Sequence, residues 1–347
     1  MKINIKCILY AVFFVCAAGT ASPAIVIQSS IDGGRWMKNT AAYPLKGQKI
    51  VLKVNNVPGG TIQWYQIFPD ISKIYKNANH PWEKNPYQWA GFAKIIYHKE
   101  ELNRFRGQWK MQPFETRNSE PGTRNIGNAV SGLKRYLPWF RSSGDKSAHS
   151  GYYHKDVGSF WFQAEVEKDG RISRTPGIED SDERGLSPKV FRISIRDGKG
   201  FTGYLTSFFN VPGLFGSIPY QSSNYIGADC ADVLMAAYRK WKGKKSRKDY
   251  NVAMLVSKFP KVDEFNLAEG MPDKQVKWGK IRAGDFIAVR YKGRRQYQHI
   301  GALFSDANKN GVLDGGDLVI HAGPYPLNHS YLREGGFDGH VMILRPD

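Results

Sequence analysis

The segment from Asp229 to Gly243 carries the clearest helical pattern in the chain, and it holds the one cysteine outside the N-terminal leader. Apolar residues fall on one face at helical spacing, at Cys230, Leu234, Ala237, Tyr238 and Trp241. Asp229 is a good N-cap and Gly243 a good stop signal. Cys230 is therefore expected in the first helical turn, where free N–H groups and the helix dipole lower a thiol pKa. The pattern predicts a nucleophile there, with a small buried core cysteine as the structural alternative.

The N-terminus has the layout of a secretory signal peptide. Lys2 and Lys6 precede an apolar run over 7–18, and small residues end the segment at Ala21. We expect residues 1–21 to be removed, which predicts a secreted protein, in bacteria a periplasmic one. The apolar run is too short to span a bilayer, so no transmembrane anchor is expected in the mature chain.

Cysteine usage and charge limit the chemistry of the mature chain. Without Cys7 and Cys16 only Cys230 remains, so we expect no internal disulfide. A free thiol is easily oxidised outside the cytoplasm, and its presence therefore favours a catalytic role for Cys230. The net charge of +19 includes two leader lysines. The remaining excess predicts attraction to anionic surfaces of the cell envelope. We expect no nucleic-acid partner and no organic cofactor, since no matching motif accompanies the charge.

Residues 22–198 are rich in strand patterns. Alternating or β-branched segments predict strands at Gln48–Val54, Thr61–Phe68, Ala93–Tyr97, Ser159–Val166 and Val190–Ile195. Short strands separated by Gly and Pro predict an antiparallel β-sandwich of immunoglobulin-like type. Trp64 is expected in its core, or alternatively on a carbohydrate-binding face. Residues 99–156 are a polar and aromatic excursion, expected to pack between the two halves.

Residues 199–347 combine the helix from Asp229 and a second short helix expected at Tyr250–Phe259 with strands, so the whole chain is predicted to be α+β. Strands are expected at Phe286–Tyr291, from His299 onwards in HIGALF, at Leu318–His321 and at Gly339–Leu344. His299 and His321 would then lie on adjacent strands and approach each other. A nucleophilic cysteine needs a base and an orienting partner, which the two histidines supply. A structural role for each histidine is the alternative.

The motifs GADCADVL, AGDFIAVRY, HIGALF and VIHA together resemble the NlpC/P60 family of cysteine peptidases over residues 219–323. The resemblance implies a papain-like domain in which Cys230 is the nucleophile, His299 the base and His321 the residue orienting it. It also implies that Tyr220 lies near the nucleophile and that the Cys230 N–H helps to hold an oxyanion. The implied substrates are peptidoglycan stem peptides, cleaved at an amide bond through a thioester.

The family pattern has Ser–Gly after the cysteine, where this chain has Ala231 and Asp232. Two other functions therefore stay open. One is a protein-directed amidase, deamidase or transglutaminase that uses the same three residues. The other is a catalytically inactive cell-surface binding module.

Between the two histidines lies an insertion that fits a calcium-binding loop. Oxygen-bearing positions recur with EF-hand spacing, and the candidate ligands are Asp306, Asn308, Asn310, Val312 through its carbonyl, Asp314 and Asp317. Gly311 permits the sharp turn. Strands rather than helices flank the loop, so we expect a structural Ca²⁺ site in a hairpin that holds both histidines, with an Asn/Gly-rich turn without metal as the alternative.

Overall fold

The computed structural model describes residues 25–55, 60–77, 91–106, 110–111 and 153–347. The expected signal peptide, and residues 112–152 of the predicted excursion, lie outside these ranges. Within them the fold is mixed α+β, rich in strands and poor in helices, as expected from the sequence. Across the same ranges, no helix has both the length and the apolar character needed to cross a membrane.

In its described residues, the N-terminal part forms small sheets from eleven strands. They are β1 (Ile27–Ile31), β2 (Ala41–Ala42), β3 (Ile50–Val54), β4 (Thr61–Pro69), β5 (Tyr75–Lys76), β6 (Tyr97–Arg106), β7 (Lys110–Met111), β8 (Gly158–Lys168), β9 (Arg171–Arg174), β10 (Phe191–Ile195) and β11 (Leu214–Phe215). The largest sheet has the order β2-β10-β8-β4-β6, with β9 added to β8, and a second sheet has the order β1-β3-β7. Pairing is antiparallel except in β2–β10 and in the β5–β11 pair.

Four of the five predicted N-terminal strands are confirmed with small changes at their ends, and Trp64 is a fully buried core residue. The strand predicted at Ala93–Tyr97 is wrong, because β6 only begins at Tyr97. Pairing with β4 starts where Tyr97 faces Pro69. Before that point the chain follows β5 instead, since the Phe92 N–H donates to Ile74 O at 2.9 Å. The true strand therefore extends into the predicted excursion.

The C-terminal part is one seven-stranded antiparallel sheet in the order β13-β12-β18-β14-β15-β16-β17. Its strands are β12 (Lys261–Ala268), β13 (Met271–Pro272), β14 (Phe286–Arg290), β15 (His299–Ser305), β16 (Leu318–His321), β17 (Asn328–Tyr331) and β18 (Gly339–Leu344). The strands predicted at β14, β15, β16 and β18 are confirmed. Strands β12, β13 and β17 have no counterpart in the sequence-based expectation.

Four α-helices lie in the described part of the chain, all of them after β10: α1 (Phe201–Thr206), α2 (Pro219–Ser223), α3 (Cys230–Trp241) and α4 (Val252–Lys258). The helix predicted from Asp229 is confirmed. Asp229 Oδ1 accepts the N–H groups of Ala231 and Asp232, and Gly243 takes the left-handed φ of 64° just beyond the last turn.

The C-terminal sheet separates two apolar clusters, because successive residues of a strand point to opposite faces. Ile300 and Ala302 face the cluster that includes α3, whereas Leu303 and Val319 face a smaller cluster around Phe337. The larger cluster is continuous with the core of the N-terminal sheets. The start of β15 is therefore held from both sides.

Candidate active site

Cys230 is the first residue of α3 and is partly buried against the larger apolar cluster. The backbone N–H of Ile300 is close enough to the sulfur to lower the thiol pKa. The register of β15 with β16 would place Ala322 opposite Ile300, one residue beyond the end of β16 at His321. The N–H of Ile300 therefore lies beyond the end of β16, near the start of β15.

The expectation of a lowered thiol pKa is wrong for the state seen here. Burial raises the pKa of Cys230, and the adjacent carboxylate of Asp229 raises it further, against the smaller effect of the Ile300 N–H. Burial also raises the pKa of Asp229 itself to about 6. The thiol is therefore neutral near pH 7, and any nucleophilic role requires a base that takes its proton.

His299 and His321 lie side by side at neighbouring strand ends. His299 Nε2 and His321 Nδ1 are 2.9 Å apart, and the rings meet at 77° with centroids 5.0 Å apart. His321 Nε2 is 2.8 Å from the hydroxyl oxygen of Ser330 on β17. The predicted approach of the two histidines is confirmed, and a third polar group extends the hydrogen-bonded series.

The series allows one tautomer arrangement that suits a base. If His299 Nε2 donates to His321 Nδ1, then His321 carries its proton on Nε2 and donates to Ser330. The lone pair of His299 Nδ1 is then available to accept a proton. Burial lowers the pKa of His299 to about 3, with help from His321, and that of His321 to about 4, so both rings are neutral at pH 7.

Close packing fixes the two rings. The Phe337 ring lies 5.0 Å from His299 and 5.3 Å from His321, measured between centroids. Gly301 lets β16 approach, because a Cβ on it would lie 2.8 Å from His321 Cβ and 3.0 Å from the Phe337 ring. The glycine of HIGALF is thus needed for the position of His321.

The structure does not join all the predicted residues by direct contact. In the described part of the chain, no hydrogen bond connects the Cys230 sulfur to either imidazole. Tyr220, on α2, has its ring 5.5 Å from the Arg184 guanidinium, and no hydrogen bond between it and Cys230 is found in the described ranges. Burial raises the pKa of Tyr291, and the charge of a Cys230 thiolate would raise it further.

The two residues that follow the cysteine are buried and do not face the site. Ala231 is 4 % exposed and Asp232 is 2 % exposed. The Ser217 hydroxyl donates to Asp232 Oδ2 at 2.7 Å, and Ser217 Oγ in turn accepts the Asp229 N–H. Asp232 therefore ties the start of α3 to the segment before it.

The predicted calcium loop forms a compact turn between β15 and β16. Lys309 and Gly311 take left-handed φ values of 58° and 78°. The side-chain amides of Asn308 and Asn310 both donate to the Asp314 carboxylate, the first at 3.0 Å. Asp306 accepts the N–H groups of Asn310 and Gly311. The oxygen-bearing side chains at 306, 308, 310 and 314 therefore converge.

Asp317 is placed differently from these four. It is fully buried, its Oδ1 accepts the Ala307 N–H, and its Oδ2 accepts the Trp278 indole N–H at 3.0 Å and the Asp314 N–H. Both oxygens are thus occupied by protein donors. No group of three or more His, Cys, Asp or Glu residues is arranged for a metal within the described residues.

Three residues near the site were not found from the sequence. Ser330 lies on a strand of only four residues, Tyr291 follows the last residue of β14, and Phe337 stands among glycines. Each has a weak local pattern, so no periodicity signal could have identified them. Comparison with known protein families, with curated proteins and with solved structures found no match to this chain.

Proposed function

We propose that the chain is a secreted cysteine hydrolase that cleaves amide bonds, with Cys230 as nucleophile, His299 as base and His321 as the residue orienting it. The observation that carries the proposal is the hydrogen-bonded series His299–His321–Ser330 at the start of β15, beside Ile300, whose N–H lowers the thiol pKa. Such a series can supply the tautomer in which His299 Nδ1 accepts a proton, as a base paired with a thiol requires.

The reaction begins from neutral groups. His299 Nδ1 takes the Cys230 proton as the sulfur attacks the carbonyl carbon, and the tetrahedral oxyanion meets the backbone N–H of Cys230 at the start of α3. The imidazolium then protonates the leaving amine while the C–N bond breaks, which leaves a thioester. Water gives a proton to His299 and attacks the thioester, and the sulfur leaves with that proton as the acid product forms. The His299 ring packs against Phe337, on the face of the sheet opposite to the one that α3 covers. The proposal therefore requires the His299 ring to turn around the start of β15 towards the thiol when substrate binds.

The resemblance to NlpC/P60 peptidases supports peptidoglycan stem peptides as the substrate. It also supports a papain-like arrangement of the C-terminal part. The short strands of residues 22–198, separated by Gly and Pro, support an immunoglobulin-like first part. In this assignment Tyr220 is the tyrosine that the family motif places near the nucleophile. Localisation in the bacterial periplasm belongs to the same proposal.

The loop 306–317 binds a structural Ca²⁺ in this proposal. The carboxylates of Asp306 and Asp314 supply charge, the amide oxygens of Asn308 and Asn310 complete the set after their side chains turn, and Val312 offers its carbonyl. Asp317 orders the loop through Trp278 and does not act as the last ligand. The metal would hold the hairpin that presents both histidines.

The test is cleavage of purified stem-peptide fragments by the full mature chain, followed by mass spectrometry. We expect a product that has gained one water at an amide bond, lost in Cys230→Ala and His299→Ala but retained in Cys7 and Cys16 variants of the full-length precursor. A product with an acid in place of a side-chain amide, or a cross-linked product, would instead assign deamidation or transglutamination.

One observation favours a second candidate, an inactive binding module: burial and Asp229 raise the pKa of the thiol. The two candidates differ in thiol reactivity. An active thiol should be alkylated faster in wild type than in His299→Ala at pH 7. Equal slow rates in both proteins would favour the binding module.

A further inference from the structure

Exposed basic side chains are concentrated on one surface of the C-terminal part. The surface comprises two segments, 242–258 and 292–298, and its nine exposed cations are Lys242, Lys244, Lys245, Arg247, Lys248, Lys258, Lys292, Arg294 and Arg295. Asp249 is the one acidic residue in these segments. Nine cations against one carboxylate give this basic surface a net +8, out of +19 for the chain.

The cations of the basic surface form no salt bridges with other described residues. Elsewhere in the C-terminal part, basic side chains pair with acids: Lys261 with Glu264, Lys274 with Asp263 and Arg345 with Asp285, each at 2.8 Å. None of the nine forms an ion pair with any residue that the structure describes. A group of unpaired like charges raises the local positive potential and favours an anionic partner.

The basic surface contains a groove of about 520 Å³. Helix α4 and the residues before it form one side, and the β14–β15 connection forms the other. The lining residues are Lys248, Tyr250, Asn251, Ala253, Met254, Ser257, Lys258 and Gln296. Amide and hydroxyl groups therefore stand beside two ammonium groups, a combination suited to a ligand that carries both hydroxyl groups and negative charges.

The groove is poorly suited to nucleic-acid bases and to membranes. Three cations already surround the Tyr250 ring, Lys248 and Lys258 each at 5.3 Å from its centroid and Arg239 at 5.7 Å, so the ring is not free to stack on a base. Met254 is 38 % exposed and is the only exposed large apolar side chain among the lining residues. Insertion into a bilayer interface needs a larger apolar face.

We propose that the basic surface binds a linear anionic polysaccharide, one that carries carboxylate or phosphate groups along its length. Sugar hydroxyl groups meet Asn251, Ser257 and Gln296 in the groove, and the surrounding cations pair with successive anionic groups. The inference does not depend on amide hydrolysis. The segment that supplies Gln296 continues directly into His299, so a bound polymer would lie beside the candidate active site.

The test is calorimetric titration of the full mature chain with polygalacturonate oligomers of defined length. The same oligomers fully methyl-esterified serve as the uncharged control ligand, and a poly(ribitol phosphate) oligomer separates phosphate from carboxylate. We expect binding of at least one charged polymer, weakened by salt, and none of the ester. Tighter binding to anionic vesicles or to a single-stranded oligonucleotide would overturn the proposal, as would absence of binding to both polymers.

Two double variants distinguish binding in the groove from a general effect of the positive charge of the protein. Lys248→Gln/Lys258→Gln removes two groove cations, and Lys46→Gln/Lys199→Gln removes two exposed cations elsewhere. We expect Kd to rise about 5-fold to 10-fold in the first and less than about 2-fold in the second. Gln296→Ala, which changes no charge, should raise Kd about 2-fold to 3-fold. Equal losses in both double variants, or no effect of Gln296→Ala, would contradict a specific groove.

Discussion

Burial keeps the two site histidines neutral, and this costs stability in acid. The pKa values of His299 and His321 are lowered to about 3 and about 4, whereas an unfolded histidine titrates near its ordinary value of 6.5. Between these values the unfolded chain binds protons that the native protein does not bind. The contribution of these groups is therefore fully present above pH 6.5 and is lost as the pH falls towards 4.

Replacing His299 with Gln removes one group that takes up a proton when the chain unfolds in acid. We expect the free energy of unfolding of the wild type, measured relative to that of His299→Gln, to fall by up to about 1.4 kcal/mol per pH unit between pH 6 and 4. Urea titrations at intervals of half a pH unit measure this, and the difference should be constant above pH 7.5. A difference that stays constant down to pH 4 would mean that His299 is not held neutral.

Ser330 should matter through His321. In Ser330→Ala the buried His321 Nε2 loses its partner, which costs about 1–3 kcal/mol of unfolding free energy. Ser173→Ala, an exposed serine on β9, is the matched control and should change it by less than about 0.5 kcal/mol. If cleavage activity is found, Ser330→Ala should lower kcat by a larger factor than it changes KM. The reason is that the variant keeps the base, His299, but no longer holds it in position. Unchanged stability and kcat would exclude this positioning role.

For Cys230, the sequence predicted the place in the helix correctly and the direction of the thiol pKa wrongly. Cys230 in the first helical turn followed from its spacing and from the Asp229 cap. The same cap is a full negative charge beside the thiol, whereas the helix end offers only about half a positive charge. Burial, which sequence alone does not give, is the larger cause of the raised thiol pKa, and Asp229 adds to it. The pKa of the thiol therefore rises although the local motif favours a thiolate.

At the scale of elements, Gly301 sets the distance between β15 and β16. In Gly301→Ala the new methyl would lie 2.8 Å from His321 Cβ, so the strands must separate. We expect a loss of about 1–3 kcal/mol in the free energy of unfolding and a changed His321 ring signal by NMR. Gly323→Ala is the control, since a Cβ there meets nothing within 4 Å. Equal effects of the two changes would contradict the close approach.

The loop 306–317 should respond to calcium. If Ca²⁺ binds the native protein only, 100 Kd of free ion adds about 2.7 kcal/mol to the free energy of unfolding. Asp306→Ala should abolish this gain, whereas Asp169→Asn, an exposed turn residue, should keep it. Denaturant titrations with Ca²⁺ and with EGTA measure the gain. No stabilisation of the wild type at millimolar Ca²⁺ would leave the loop as an Asn/Gly-rich turn.

Elements with strong end signals were predicted well. Helix α3 has both a cap and a glycine stop, and β16 and β18 have apolar runs bounded by polar residues, so their ends were found. Strand β6 was misplaced because its residues are mostly charged, YHKEELNRFR, and only pairing with β4 makes them a strand. Long-range pairing of this kind leaves no periodicity in the sequence.

At the scale of the whole molecule, one core joins the two parts that the sequence divides near residue 198. The larger apolar cluster includes Trp64 and Phe162 from the N-terminal sheets together with Leu234 and Phe286 from the C-terminal part. Helix α1 lies between the parts, and the Phe201 ring is 5.6 Å from Phe286 and 6.0 Å from Trp241. A shared core couples the unfolding of both parts.

We therefore expect a single unfolding transition for the full mature chain. Phe162→Ala removes a fully buried ring and should cost about 3–5 kcal/mol. Because the core is shared, hydrogen exchange in β15, in the C-terminal sheet, should accelerate along with that in β8, which contains Phe162. Ile172→Ala, at a side chain 71 % exposed, is the control and should leave both unchanged. Faster exchange in β8 alone would mean that the C-terminal part holds its fold independently, and that its site could be studied without the N-terminal sheets.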